Sequence, residues 1–265
     1  MDDPLQRYIH SAGSGPRVLL IQGTGCAGCA WSPQVEELQE KFHLAWYDAP
    51  GMGQRPGSLT SVEAMADDAA AVLDALGWDR AFIAGHSLGG VIAQQLALSA
   101  PERVAGLLLM CTFAQGFAAM PTTPADIWLQ MRTVFGTQAM RRRAFFTMVS
   151  DPEISPTEAN IAAIETIFQR PLHALPSAAF AQVRVLARTS LANALGTLDC
   201  PAAVLSASED RIAPLAQGQR LADALGCSLD TLPGGHAIPI QSAEAVNAWM
   251  RSQLESWTAD LNSNR

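Results

Sequence analysis

The sequence is poor in charge, in cysteine and in long apolar runs, and each shortage narrows what the chain can be. Charged residues are 16% of the 265 positions and hydrophobic ones 49%, a balance that excludes a disordered polymer and suits a globular protein with a large interior. Basic residues number 17 against 25 acidic ones, for a net charge of −8, which disfavours nucleic acid and anionic membrane as partners. A small molecule is the expected partner. No apolar run reaches membrane-spanning length, and the start Met1-Asp2-Asp3-Pro4 lacks the basic and apolar regions of a signal peptide, so a cytoplasmic location is expected. The five cysteines, at 26, 29, 111, 200 and 227, are odd in number and argue against a disulfide framework.

What is present centres on Gly85-His86-Ser87-Leu88-Gly89. The apolar run Ala81-Phe82-Ile83-Ala84 before it has strand length, and from Leu88 to Ser99 apolar residues recur at helical spacing. A serine is thereby placed in a sharp strand-to-helix turn, where flanking glycines admit close backbone and the N–H groups of the helix start can face a developing negative charge. Such a serine is a candidate nucleophile.

Upstream, Leu5 to His10 is expected to be an edge strand closed by the turn Ser11 to Pro16, and Arg17 to Gln22 a buried strand. Gly23-Thr24-Gly25-Cys26-Ala27-Gly28 then spells G-x-G-x-x-G, with Asp48 standing 20 residues beyond Gly28 at the end of the next strand. That spacing matches a dinucleotide-binding fingerprint. Ser32-Pro33, however, reads as an N-cap and first helical position, so the helix is expected to open about four residues too late to receive a pyrophosphate. The alternative task for the loop is to present the backbone N–H of Thr24 toward Ser87. Cys26-Ala27-Gly28-Cys29 spells C-x-x-C, but no second pair or histidine stands at zinc-ligand spacing.

Strands and helices alternate as far as Val104 to Cys111, the pattern of a parallel sheet covered on both faces. From 113 to 196 the alternation stops. Helical stretches broken by prolines hold eight aromatics there, at Phe113, Phe117, Trp128, Phe135, Phe145, Phe146, Phe168 and Phe180, with Met120, Met131, Met140 and Met148. Such an insertion could lie over an apolar ligand, although most of these side chains are expected to pack the insertion on itself, and Arg141-Arg142-Arg143 to face solvent. The division expected is a core of 1–112 and 197–265 with an inserted helical cap of 113–196. Trp31, Phe113, Trp128, Phe146 and Ile238 are the candidate substrate-pocket residues.

Alternation resumes with strands at Ala202–Ala207 and Ser228–Leu232 and helices at Pro214–Leu225 and Ala243–Trp257. Ligand chemistry on a parallel sheet gathers at the carboxyl ends of strands, and Ser87, Asp210 and His236 each follow a strand. A serine needs a base to take its proton, and the base needs a carboxylate to fix its tautomer. Of the five histidines, only His236 follows both the serine and the candidate acid, for which Glu209 is the local competitor of Asp210.

The elbow Gly85 to Gly90, the loop Gln22 to Gly25, the segment Asp48 to Gly53, the acid loop Glu209 to Pro214 and Gly235-His236 together resemble the α/β-hydrolase superfamily, over nearly the whole chain. The group of capped enol-lactonases, carbon–carbon hydrolases and carboxylesterases is the most similar. The resemblance implies a mostly parallel sheet flanked by helices, a cap between the sixth and seventh core strands, and backbone N–H groups of Thr24 and Leu88 as an oxyanion hole. It also implies serine-dependent hydrolysis of a small, largely apolar ester, lactone or related acyl substrate without metal or organic cofactor. Gln22 departs from the histidine many relatives carry there, and Ser87 excludes the alkyl-enzyme chemistry of dehalogenases and epoxide hydrolases, which need a carboxylate at the elbow. A cofactor-free oxygenase or haloperoxidase-like enzyme and a ligand receptor on the same scaffold are the alternatives.

Overall fold

The computed structural model describes residues 5–116 and 123–263. Seven strands form one sheet: β1 (Ile9–Ala12), β2 (Arg17–Ile21), β3 (His43–Tyr47), β4 (Ala81–His86), β5 (Val104–Met110), β6 (Ala202–Ala207) and β7 (Leu229–Leu232). Their spatial order is β1-β3-β2-β4-β5-β6-β7, with β1 antiparallel to β3 and every other pair parallel. This is the expected fold class, a mostly parallel central sheet flanked by helices.

The short apolar runs become central strands because alternate residues feed two cores. Leu19 and Ile21 of β2 enter one core with Ile83 of β4, while Val18 and Leu20 enter the other with Phe82 and Ala84. Over the first face lie α2 (Val62–Ala75), α3 (Leu88–Ser99) and α9 (Leu215–Leu225); over the second lie α1 (Ser32–Leu38) and α10 (Ala243–Ser263). Ser61 caps α2, its hydroxyl accepting from the N–H of Ala64 at 3.1 Å. Among the described residues no helix is long and apolar enough to cross a membrane.

Two local expectations need correction. Residues Gln6–Tyr8 form a 3₁₀ turn, and the edge strand begins only at Ile9, pairing Ile9 with Tyr47 and Ala12 with Leu44. Ser11 and Ala12 therefore extend the strand, and the turn starts at Gly13, whose φ of 82° brings its backbone against the carbonyls of Gln39 and Phe42. Likewise a 3₁₀ turn over Gly28–Trp31 leads directly into α1. Helical backbone thus opens at Gly28, earlier than Ser32-Pro33 suggests.

The helical insertion leaves β5 and returns to β6, the fifth and sixth strands here, not the sixth and seventh. It holds α4 (Pro124–Val134), α5 (Gln138–Val149), α6 (Glu158–Phe168), α7 (Ser177–Arg188) and α8 (Ala192–Leu195). Threonines 123, 137 and 157 cap the first three of these, each hydroxyl accepting from the N–H three residues on. Phe145, Phe146 and Val149 of α5 pack on Ile161, Ile164 and Phe168 of α6, with Ala30 and Ala237 of the sheet's loops in the same cluster. Arg142 does not simply face solvent: it bonds Glu165 at 2.7 and 2.8 Å and Glu158 at 2.9 Å, tying α5 to α6. Phe117 and Met120 lie outside the described residues.

Candidate active site

The end of β4 delivers Ser87 into a turn with φ 55° and ψ −120°, backbone that a side chain rarely adopts. Neighbours hold it there. The Ser87 N–H donates to the carbonyl of Met110 at 3.0 Å, and the Thr112 hydroxyl donates to the carbonyl of Ser87 at 2.6 Å. A Cβ on Gly85 would strike the backbone of Gly89, and one on Gly89 the carbonyl of Ile21, so the turn closes only on glycine. The sequence reading missed Thr112; its place just beyond β5, the neighbour of β4 in the sheet, is the signal for it.

Two further loops converge. His236, after β7, bonds Asp210, after β6, through Nδ1 and Oδ2 at 2.8 Å. The other oxygen of Asp210 accepts the N–H groups of Ile212 and Ala213, both at 2.8 Å. Glu209 is exposed and only its backbone joins the loop, donating to the carbonyl of Gly234 at 2.9 Å. Ser87, Asp210 and His236 are each nearly enclosed, at 5, 6 and 6% exposure.

The glycine loop runs against the elbow, since a Cβ on Gly23 would lie 3.2 Å from His86 Nδ1 and 3.3 Å from the Cβ of Ser87. Thr24 follows directly, and Leu88 is the first residue of α3, where a helix leaves N–H groups without internal partners. Gln22 turns its amide into its own loop, donating to the carbonyl of Gly28 at 3.4 Å.

Asp48 is consumed structurally, which removes the dinucleotide reading on firmer ground than helix punctuation. Its Oδ1 accepts from the N–H of Gly28 at 2.9 Å and its Oδ2 from that of Gln54 at 3.2 Å. Both thiols of the C-x-x-C are free, burial pushes Cys29 up and Cys26 to about 11, and among the described residues the pair gathers no third ligand. One trio could approach a metal: ligand atoms of His86, Cys111 and His236 lie within 4.8 Å of one another. Its members are already engaged, His86 with the carbonyl of His236 and His236 with Asp210, while burial first and the Asp210 charge second keep the Cys111 thiol protonated.

His86 sits behind the histidine loop. Its Nε2 donates to the carbonyl of His236 at 2.9 Å and its ring lies 4.7 Å from that of His236. Burial, and secondarily the neighbouring His236, pushes its pKa down to about 3. Its folded value is thus below its unfolded one of about 6.5, so its neutral form stabilises the fold fully above that pH and the contribution is lost as pH falls toward 3. Thermal melts should show wild-type Tm declining across that window and a shallower decline in His86→Gln. Parallel curves would refute the assignment.

The five candidate pocket residues fall into different clusters, only Trp31 and Ile238 sharing one. Trp31 and Ile238 are 1% exposed in the second core, Phe113 is 4% exposed in the first and Phe146 is fully buried in the insertion's cluster. Trp128 is 62% exposed on α4. Large aromatics were drawn into packing because burying them is the strongest apolar contribution a chain has.

Residues 18–249 match the Alpha/beta hydrolase family. The chain belongs to that family. RutD of Caulobacter sp. (strain K31), provisionally assigned as a carbamate hydrolase, is 30% identical over 256 residues, covering 93% of this chain and 94% of its own. A thermophilic esterase from Thermogutta terrifontis superposes with a TM-score of 0.74 at 27% identity, over 94% of this chain and 93% of its own. The enol-lactonase from Burkholderia xenovorans LB400 shares the fold, with a TM-score of 0.79 at 21% identity over 94% and 96% of the two chains. As an α/β hydrolase the protein is an enzyme, and its Ser, Asp and His loops stand in the chain order that fold uses.

Proposed function

We propose that this α/β hydrolase cleaves a small, largely apolar acyl substrate, an ester or lactone, through a covalent acyl-enzyme on Ser87. The observation that carries the reading is the Asp210–His236 bond of 2.8 Å, with the second Asp210 oxygen held by two backbone N–H groups. An acceptor carboxylate at Nδ1 puts the ring proton there and leaves Nε2 as the base. In this mechanism Nε2 takes the Ser87 proton as Oγ attacks the substrate carbonyl, and the resulting imidazolium is stabilised by Asp210. The negative oxygen is received by the N–H groups of Thr24 and Leu88. His236 returns the proton to the leaving oxygen; water then repeats the sequence on the acyl-enzyme and frees the acid.

Nothing in these steps requires the carbonyl to be flanked by carbon, so a carbamate fits the same attack. The provisional assignment of RutD makes that the second reading. A panel of nitrophenyl esters, γ- and δ-lactones and a nitrophenyl carbamate, each at several chain lengths, separates them. Ester or lactone kcat/KM at least about tenfold above that of the matched carbamate is expected, a difference worth about 1.4 kcal/mol at the transition state. The reverse order would move the enzyme to carbamates, and turnover of none of them together with absence of fluorophosphonate labelling would refute a serine acyl-enzyme.

A further inference from the structure

The insertion reaches down to the glycine loop with two polar side chains that the mechanism above does not use. Gln182 of α7 is 6% exposed, and its Oε1 accepts the N–H of Gly25 at 2.9 Å. Arg170, between α6 and α7, donates through Nη2 to the carbonyl of Gly25 at 2.9 Å. Both polar groups of one backbone residue, adjacent to Thr24, are therefore held by the insertion.

Local geometry makes that grip consequential. The N–H of Cys26 donates to the carbonyl of Gly23 at 3.2 Å, closing a four-residue turn with Thr24 and Gly25 at its centre. Gly25 has φ 71°, the left-handed third residue of a type II turn. In such a turn the central peptide, here between Thr24 and Gly25, can rotate as a unit and convert the turn to another type. An acceptor aimed at the Gly25 N–H fixes the orientation of that peptide, and a donor on the Gly25 carbonyl fixes the next one. The Thr24 N–H lies in the preceding peptide, whose Gly23 carbonyl is held by the Cys26 N–H, so a turn fixed at Gly25 keeps that closing bond and with it the Thr24 N–H in place. Arg170 is itself rigid: its guanidinium stacks over Phe168 and Phe145 at 5.4 and 5.9 Å, and its Nη1 donates to the carbonyl of Pro171 at 3.2 Å. Ala179 and Leu175 pack against the same glycine from the insertion, leaving a Cβ there 3.3 and 3.5 Å from their side chains.

We infer that Gln182 and Arg170 are positioning residues that set the Thr24 half of the oxyanion site, so that the helical insertion completes the catalytic constellation and does more than cover it. The inference rests on the serine-hydrolase reading. It separates two uses of an insertion: a cover alters KM, whereas a device that orients a transition-state donor alters kcat.

The test uses the full chain, with fluorophosphonate labelling rates, steady-state kinetics on a nitrophenyl ester and thermal melts. Gln182→Met keeps the length of the side chain and removes the acceptor. It should slow labelling and lower kcat about tenfold or more, with KM within about threefold, a partial loss of the effect expected for one oxyanion donor. Gln182→Glu retains an acceptor and should recover both rates to within about threefold of wild type, a rescue that packing alone does not produce. Labelling and kcat at wild-type rates in Gln182→Met, or a lowered Tm with unchanged kcat, would overturn the inference. If that variant does not melt cooperatively, Arg170→Met decides in the same way from the carbonyl side, a slowed rate supporting the inference and a wild-type rate overturning it. A wild type that takes no label refutes the serine reading and this inference with it, whereas a labelled wild type matched by Gln182→Met refutes only the latter.

Discussion

Ser87→Ala should lower kcat on a nitrophenyl ester by ~10⁴-fold or more while the protein melts within a few degrees of wild type. The separation of the two effects follows from what holds the turn. Its φ of 55° is maintained by the backbone bonds to Met110 and Thr112 and by the absence of Cβ atoms at Gly85 and Gly89. Alanine keeps the Cβ, and so the same strain, and removes only Oγ. A glycine at this position would lose the strain as well, releasing about 1 kcal/mol or more, since left-handed backbone costs any side chain roughly that much. Ser87→Gly should therefore melt above wild type and be just as inactive. Kinetics and melts on both variants check this: a Ser87→Ala enzyme that keeps kcat within tenfold of wild type would remove the nucleophile from position 87 and send the search to oxygen-dependent chemistry on the same scaffold.

Much of this architecture is legible because its signals are local. The run Val18-Leu19-Leu20-Ile21 can be buried on both sides only in a central strand, and glycines at 85 and 89 around a serine leave few alternatives to a tight turn. The pairing of Asp210 with His236 is legible by elimination, one histidine following both Ser87 and that carboxylate. What escapes is whatever depends on partners far along the chain. The register of β1 is set by Tyr47 and Leu44 across the sheet, not by the turn residues that suggest its end. The role of Asp48 depends on the N–H groups of Gly28 and Gln54 folding onto it, and the same spacing that serves a ribose also serves a loop clasp. Gln182 has no local signal at all: its partner, Gly25, lies 157 residues away, and only the docking of α7 brings them together. Pocket residues carry the weakest signal, because an aromatic side chain in a helical insertion has the same appearance in the sequence whether it meets ligand or core.

Asp210→Asn should be the second severe lesion, with kcat down by about 10⁴-fold in a protein of near wild-type stability. The geometry forces the result. One oxygen of Asp210 accepts from two N–H groups, those of Ile212 and Ala213, and the other from His236 Nδ1. An asparagine has one oxygen and one NH₂. Turning the NH₂ toward the two backbone donors would leave both buried and unpaired, at roughly 1–3 kcal/mol each. The oxygen therefore keeps the backbone, and the NH₂ faces His236. A donor there can be met only by a lone pair on Nδ1, so the ring proton moves to Nε2, the atom that has to accept the proton of Ser87. The enzyme is folded and carries the wrong tautomer. Asp210→Ala behaves differently, because it orphans the two N–H groups; it should lose activity and several degrees of Tm together. Glu209→Gln, on an exposed side chain, should change neither. Kinetics and melts on the three variants decide the matter: an Asp210→Asn enzyme within tenfold of wild type, or a larger loss in Glu209→Gln, would place the orienting carboxylate elsewhere.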